Sequence, residues 1–371
     1  MKILFTGGGT GGHVFPIVAI AREIRRIYTK KDLEFYYIGP KDEFGLILLS
    51  QEGFIVKKII SGKIRRYFSF KNIVDLFFKI PFGILQSFYL ILKIKPEIIF
   101  SKGGSGSISV TICARILGIP VFLHESDIVP GLSNRLSSKW AKKVFVSFPK
   151  TEYFDSQKTI LAGNPIRKEL LEGDAKRAEE LFDITLQKPI FLFLGGSQGA
   201  EAINDFVLLI LNNLLKDFEV IHVTGRNNIK ETSAEAQVIT DKSLEKYYHP
   251  IGFLDEEKLK HAYKIADFVI SRSGSGSIFE IAALGKPSIL IPLPSAAADH
   301  QFKNAYSYAQ TGAALVFEQD NLSDDLFLER IHLLFLHPEK LEEMKTAALN
   351  FSKPYAAKTI AREILEYLML E

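Results

Sequence analysis

The residues with the clearest chemical promise stand near the start of the chain, where Gly7-Gly8-Gly9-Thr10-Gly11-Gly12-His13 follows the apolar run Ile3-Leu4-Phe5. Glycines here let the backbone turn sharply and bring its amides close to an anion. A helix opening just after them adds the positive end of its dipole. His13 closes the loop with an ordinary pKa near 6.5, suited to proton transfer at neutral pH. A structural role, bonding the loop backbone, is equally open to it. His124-Glu125, after another apolar run, is a second acid–base candidate. Three more glycine- or serine-rich turns, Gly103–Ser107, Gly195–Gly199 and Gly274–Ser277, offer amides to phosphate. Glu280, six residues after Gly274, is expected in the first turn of the next helix, where it can hold both hydroxyls of a ribose or simply cap the helix. Asp299-His300-Gln301 follows a Pro- and Ala-rich loop, a place where binding groups gather.

Other nucleotide chemistries fit less well. Gly7, Gly9 and Gly12 satisfy the dinucleotide-binding spacing, but that reading needs a carboxylate after the second strand for the ribose. The chain there reads Tyr37-Ile38-Gly39-Pro40-Lys41. A P-loop signature and an Asp-x-Asp pair for a metal–diphosphate complex are both missing. No cofactor and no metal site is expected. The single cysteine, Cys113, excludes an intramolecular disulfide and a cysteine-built metal site, and fits a reducing compartment.

These loops need strands to end in them and helices to follow. Short apolar runs alternate with longer helical ones, the pattern of parallel βαβ units buried on both faces. Lys2–Thr6, Leu33–Ile38, Ile98–Ser101, Val121–His124 and Val144–Phe148 form one series of strands. Ile190–Leu194, Glu219–Val223, Phe268–Ser271 and Ser288–Pro292 form a second, and Val14–Tyr28 is the first helix, with Pro16 in its opening turn. An internal echo joins the series: Phe100-Ser101-Lys102-Gly103-Gly104-Ser105-Gly106-Ser107-Ile108 resembles Ile270-Ser271-Arg272-Ser273-Gly274-Ser275-Gly276-Ser277-Ile278. Each copy is followed by an apolar helix and a Leu-Gly-x-Pro turn. The 371 residues therefore read as two Rossmann-like domains, 1–162 and 163–350, hinged near Ala162–Pro165, with 351–371 as a helix packing back on the first.

A net charge of +3 demands no nucleic-acid partner. Locally the balance differs. From Ser61 to Lys95 seven basic residues, Lys63, Arg65 and Arg66 among them, face the single acidic Asp75 and are interleaved with Phe77, Phe78, Phe82 and other aromatics. That composition suits a surface dipping into an anionic bilayer, although core helices with solvated edges account for some of the aromatics and single-stranded nucleic acid could use the same pattern. No secretory signal is visible, and the longest apolar stretch, Ile80 to Ile94, falls short of a span. The protein is expected to be soluble or to lie on a surface.

Taken together, Gly7–Pro16, His124-Glu125, Gly163-Asn164-Pro165-Ile166-Arg167, Gly195–Ala200 and Arg272-Ser273-Gly274 with Glu280 closely resemble the MurG family of bacterial peptidoglycan N-acetylglucosaminyltransferases, in order from about residue 2 to 315. The resemblance implies an α/β protein of the GT-B fold, two Rossmann-like domains with parallel sheets facing a cleft. It implies inverting, metal-independent transfer from UDP-GlcNAc to lipid I, the undecaprenyl-pyrophosphoryl MurNAc-pentapeptide, giving lipid II. The first domain would then bind acceptor and membrane, and the second the donor. The setting would be the cytoplasmic face of the inner membrane, among cell-wall synthesis proteins that serve shape and division. By position, Thr10, Gly11 and Gly12 would lie near the diphosphate and sugar. Arg167, Ser197, Ser275, Gly276, Ser277, Glu280 and Gln301 would complete donor binding, with Leu254 giving a backbone contact to uracil. The family's donor-contacting asparagine in His-Glu-Gln-Asn is here Asp127, whose carboxylate has no hydrogen to donate. The expected chemistry is direct displacement at the anomeric carbon by the C4 hydroxyl of MurNAc, with His13 as base and Glu125 second. Another GT-B enzyme, such as a glycolipid synthase or sugar-nucleotide epimerase, and a non-enzymatic nucleotide-sugar-binding module are the rivals.

Overall fold

The central strands are apolar at nearly every position, so both faces of each sheet must be covered, and they are. In β1 (Lys2–Thr6), Ile3 and Phe5 enter one buried cluster and Leu4 the opposite one. A computed structural model of the chain describes residues 1–8, 10–30, 32–41, 43–62, 75–149, 153–195 and 200–370. The remaining strands of the first sheet are β2 (Glu34–Gly39), β3 (Ile55–Lys58), β4 (Ile98–Ser101), β5 (Val121–Glu125), β6 (Lys143–Val146) and β7 (Thr159–Leu161). The second sheet comprises β8 (Ile190–Leu194), β9 (Glu219–Val223), β10 (Tyr248–Ile251), β11 (Phe268–Ser271), β12 (Ser288–Leu290) and β13 (Ala314–Val316). Their orders are β3-β2-β1-β4-β5-β6-β7 and β10-β9-β8-β11-β12-β13, and the pairings in both are parallel. These are two Rossmann-like sheets, as the sequence pattern required.

Two compact units divide the chain: Met1–Arg167 with Lys353–Glu371, and Lys168–Ser352. In the first, the helices Gly11–Ile27 and Ala356–Leu370 pack together over one sheet face, where Ile17, Val18, Ile360 and Ile364 are buried. Lys143 pairs with Glu363, and Tyr367 meets Phe122 edge-on with centroids 5.3 Å apart. The opposite face is covered by the helices Ile80–Ile94 and Ser107–Ile116. In the second unit, the helices Glu201–Asp217 and Asp324–Leu336 bury Leu211, Leu214, Phe327 and Ile331 against Phe191, Phe193 and Phe268.

Three sequence expectations need correction. The first helix starts at Gly11 rather than Val14, because glycine tolerates the first turn and Thr10 takes the extended N-cap conformation. Glu280 is the sixth residue of the helix Ser275–Ala283, not a first-turn residue, since Gly274 is the N-cap. Finally, the apolar stretch is longer than Ile80–Ile94. A π-helical turn, Asp75–Lys79, leads into that helix, so Phe77–Ile94 (18 residues, mean hydropathy 1.4) is long and apolar enough to cross a membrane by length and composition. The sequence count stopped where Lys79 interrupts it. In the fold, one face of this helix lies on its own unit: Ile80, Gly83, Ser87, Ile91 and Ile94 are buried, and Gln86 Oε1 accepts the Ile60 amide at 2.8 Å.

Candidate active site

In each sheet the strand order reverses at the centre, between β1 and β4 in the first and between β8 and β11 in the second. The loops leaving the C-terminal ends of such strands diverge to opposite faces and open a crevice, the usual binding position in doubly wound sheets. Glycine-rich turns follow β1, β4 and β11 at three of these positions, and Gly195 comes directly after β8 at the fourth.

In the first unit, Gly7 and Gly8 leave β1 with their carbonyls accepting the Tyr37 hydroxyl at 3.2 and 3.3 Å. Thr10 caps the next helix through its carbonyl, which accepts from His13 N at 2.9 Å. Its hydroxyl is turned instead to His13 Nδ1, 2.9 Å away, so no side chain covers the first amides of the helix. Gly12 faces open space. Amides, helix dipole and an imidazole therefore converge at one point. Burial, followed by the charge of Lys102, lowers the His13 pKa to about 3, leaving it neutral at physiological pH. The other side of the imidazole is bounded by Gly104. A Cβ there would lie 3.1 Å from His13 Nε2 and 2.7 Å from Gly8 N, and its φ of +89° also requires glycine.

The end of β5 supplies the third edge. His124 Nε2 lies 3.0 Å from the Gly163 carbonyl, so that nitrogen carries the proton, and burial holds the ring neutral. Glu125 is buried and fully engaged: Oε1 accepts from Asp127 N (3.1 Å), and Oε2 from Gly131 N (3.1 Å) and Asn134 Nδ2 (2.9 Å). Burial, then Asp127, push its pKa up to about 7, against the smaller pull of Lys102, the Asp127 amide and Asn134. A carboxylate accepting two amides of the following loop and the Asn134 side chain of the next helix is built to shape residues 126–131. Asp127 itself is half-buried at the rim. Arg167 is buried with its guanidinium 3.9 Å over the Phe15 ring, which ties it to the first helix and the first unit.

In the second unit, Gly274 and Gly276 face open space at the start of the helix Ser275–Ala283, and no side chain caps that helix. Ser275 Oγ is buried without a hydrogen-bond partner. Glu280 Oε2 accepts the Tyr263 hydroxyl at 3.2 Å, a contact the sequence gave no sign of. Gln301 Oε1 accepts from Leu293 N at 3.0 Å and its carbonyl accepts from Ser273 Oγ at 2.9 Å, which joins that loop to the β11 turn. The Leu254 side chain is buried just before the helix Glu256–Ile265. Ser197, Lys63, Arg65 and Arg66 lie outside the described residues. Phe77, Phe78 and Phe82 are exposed on the helix that begins at Asp75. The sequence reading also passed over Lys102 and Asn134, one buried cation and one buried amide among many polar residues.

The comparisons decide the family. Residues 3–146 match the glycosyltransferase family 28 N-terminal domain and residues 190–360 its C-terminal domain. A Clostridium tetani protein named UDP-N-acetylglucosamine–N-acetylmuramyl-(pentapeptide) pyrophosphoryl-undecaprenol N-acetylglucosamine transferase is 39% identical over 352 residues, 94% of each chain. The chain belongs to the MurG family. It is a glycosyltransferase. The crystal structure of Acinetobacter baumannii MurG superposes with a TM-score of 0.77 at 25% identity, covering 98% of this chain and 99% of that one. A Neisseria meningitidis UDP-GlcNAc 2-epimerase, solved bound to UDP-GlcNAc, reaches 0.69 at 16% identity over 99% and 100% of the two chains. That second likeness is one of fold alone, and it shows why architecture by itself does not select among the GT-B chemistries weighed above.

Proposed function

We propose that this enzyme transfers GlcNAc from UDP-GlcNAc to the C4 hydroxyl of MurNAc in lipid I, forming lipid II for peptidoglycan synthesis, with inversion and without a metal ion. The observation that carries the reading is the His13 arrangement: a neutral imidazole on an uncapped, glycine-rich helix N-terminus. With Nδ1–H donating to Thr10 Oγ1, Nε2 keeps its lone pair for the acceptor hydroxyl. An arriving pyrophosphate raises the proton affinity of that ring, which strengthens the base as substrate binds.

The donor is held by the second unit. The open amides of Ser275, Gly276 and Ser277 meet the diphosphate, and Glu280, oriented by Tyr263, takes the ribose hydroxyls. Ser197, Gln301 and the Leu254 backbone complete donor binding in the second unit; Thr10, Gly11, Gly12, Asp127 and Arg167 are the donor-binding residues of the first. Negative charge growing on the departing UDP is stabilised by amides and dipoles already aligned for it. Glu125 shapes the 126–131 loop and stands second to His13 as base.

The enzyme works as a peripheral protein on the cytoplasmic face of the membrane. Support comes from the outward stripe of Phe78, Phe82, Leu85, Tyr89 and Leu92, all exposed at helical spacing, and from the basic residues Lys63, Arg65 and Arg66 that precede it in the sequence. The deciding assay follows labelled GlcNAc from UDP-GlcNAc onto synthetic lipid I with EDTA present. Transfer with inverted configuration is expected. Abolition by chelator removes the metal-free claim, and absence of transfer removes the substrate assignment. Co-sedimentation with anionic vesicles should weaken in a Phe78→Ser, Leu85→Ser double variant that remains folded.

A further inference from the structure

Lys102 is the first residue after β4 and is only 4% exposed, an unusual position for a lysine. Its amide donates to Thr6 O at 2.9 Å, which pins it beside β1, and a Cβ on Gly7 would lie 3.4 Å from its own Cβ. Its ammonium donates to Ser126 Oγ, and Ser126 Oγ donates in turn to Asn164 Oδ1 at 3.1 Å. One cation thus links the loop after β4, the loop after β5 and the 163–167 segment. Among the described residues, the titratable groups around it are His13 from the first loop and His124, Glu125 and Asp127 from β5 and its turn. The helix Leu132–Ser137 contributes the neutral Ser133 and Asn134 on this side.

We propose that Lys102 is a positioning residue of the transfer reaction: its charge acts on His13, and its bond to Ser126 fixes the His124–Asp127 turn. The proposal rests on the reading of His13 as base. Geometry carries it: a Cβ on Gly7 would lie 3.4 Å from Lys102 Cβ and 3.6 Å from His13 Cβ, so both side chains flank the same glycine, and the Ser126 bond ties the ammonium to the turn after β5. Burial lowers the Lys102 pKa, and Glu125 and Asp127 offset part of that shift by favouring the charged form. After burial, that charge also helps lower the pKa of both His13 and His124. Lys102 also explains how Asp127 can stand where the family motif has asparagine. A carboxylate near Glu125 repels it, and the positive charge of Lys102 acts in the opposite sense.

The test uses the full chain with Lys102→Met, Lys102→Arg and Ser126→Ala. Labelled-histidine NMR, with His13 assigned through His13→Gln, reads the titration without any substrate. In Lys102→Met, His13 should titrate at higher pH than in the wild type, and the acid limb of kcat/KM should move the same way. Its kcat should fall about tenfold to a hundredfold, the range for lost orienting partners, with KM for UDP-GlcNAc little changed. Lys102→Arg should restore the His13 titration, and Ser126→Ala should leave that titration in place while lowering kcat severalfold. A folded Lys102→Met with unchanged His13 titration and kcat overturns the proposal. Should that variant not fold, a Ser126→Ala enzyme with wild-type kcat overturns it instead. Wild-type protein that transfers nothing to lipid I would sink the substrate assignment, yet the NMR arm would still answer for Lys102.

Discussion

The central strands β4 and β11 end in nearly the same words, Ser101-Lys102-Gly103-Gly104-Ser105-Gly106-Ser107 and Ser271-Arg272-Ser273-Gly274-Ser275-Gly276-Ser277, and each places a buried cation just past the sheet. The two cations are used differently. Arg272 gives its N–H groups to the carbonyls of Ile291 (3.2 Å) and Pro292 (3.4 Å) and to Gln319 Oε1 (2.7 Å), so it serves as a brace for the loop after β12. Lys102 gives a single hydrogen bond to a hydroxyl and stands among carboxylates and imidazoles. The loops differ as well. Gly103 and Gly104 adopt φ of +80° and +89° and delay the helix to Ser107, whereas the second copy enters its helix at Ser275 without a left-handed residue. A planar, multidentate guanidinium suits fixed carbonyls, and a compact ammonium suits a site where charge must be shared. On the proposed reading, the repeated framework serves donor binding in one half and proton transfer in the other.

That contrast breaks first at His13. His13→Ala should lower kcat by about a hundredfold to ten-thousandfold with an unchanged melting temperature, and near-wild-type turnover at saturating substrates would move the chemistry elsewhere. A second prediction concerns His222, a buried histidine of the other unit, which lies between Tyr248 OH (2.8 Å) and Asn204 Oδ1 (3.1 Å). Burial lowers its pKa to about 3, so the unfolded chain takes up a proton near pH 6.5 that the folded chain refuses. Stability from this group is present above pH 6.5 and is lost as pH falls toward 3, by a few kcal/mol at most. Acid denaturation followed by circular dichroism should show a smaller pH dependence in His222→Gln than in the wild type.

Arg272→Met should cost about 2–4 kcal/mol in denaturant unfolding of the second unit, because its carbonyl partners lose their donor. Lys102→Met should cost less stability and more turnover. Equal losses in both measurements would erase the distinction between brace and tuner. The smallest effects separate the glycines. Gly104→Ala meets backbone at a positive φ and should destabilise by about 1–3 kcal/mol. Gly276→Ala, with open space around it in a helix, should be neutral to stabilising by up to about 1 kcal/mol.

Which strands were legible in the sequence follows the same physics. The nine strands anticipated from apolar runs are all present, with ends shifted by a residue or two. The four not anticipated, β3, β7, β10 and β13, are the four sheet edges. An edge strand is half-exposed and need not be continuously apolar: Ile55-Val56-Lys57-Lys58 has no buried residue. The glycine loops and His13 were legible because tight turns and helix N-termini restrict residue type. The contacts of Glu280 with Tyr263 and of Lys102 with Ser126 were not, since they join residues far apart in the chain.

By itself, then, the amino-acid order determined the alternation of buried strands and helices, the duplication, and the loops able to receive an anion, since each depends on near neighbours and backbone freedom. Only the tertiary structure decided which polar groups are charged and what they hold. Glu125 became the organiser of its own loop because three N–H donors close on it, and Arg167 was drawn onto Phe15. Ionisation depends on burial and on charges brought close by folding, and neither is written in any local stretch of sequence.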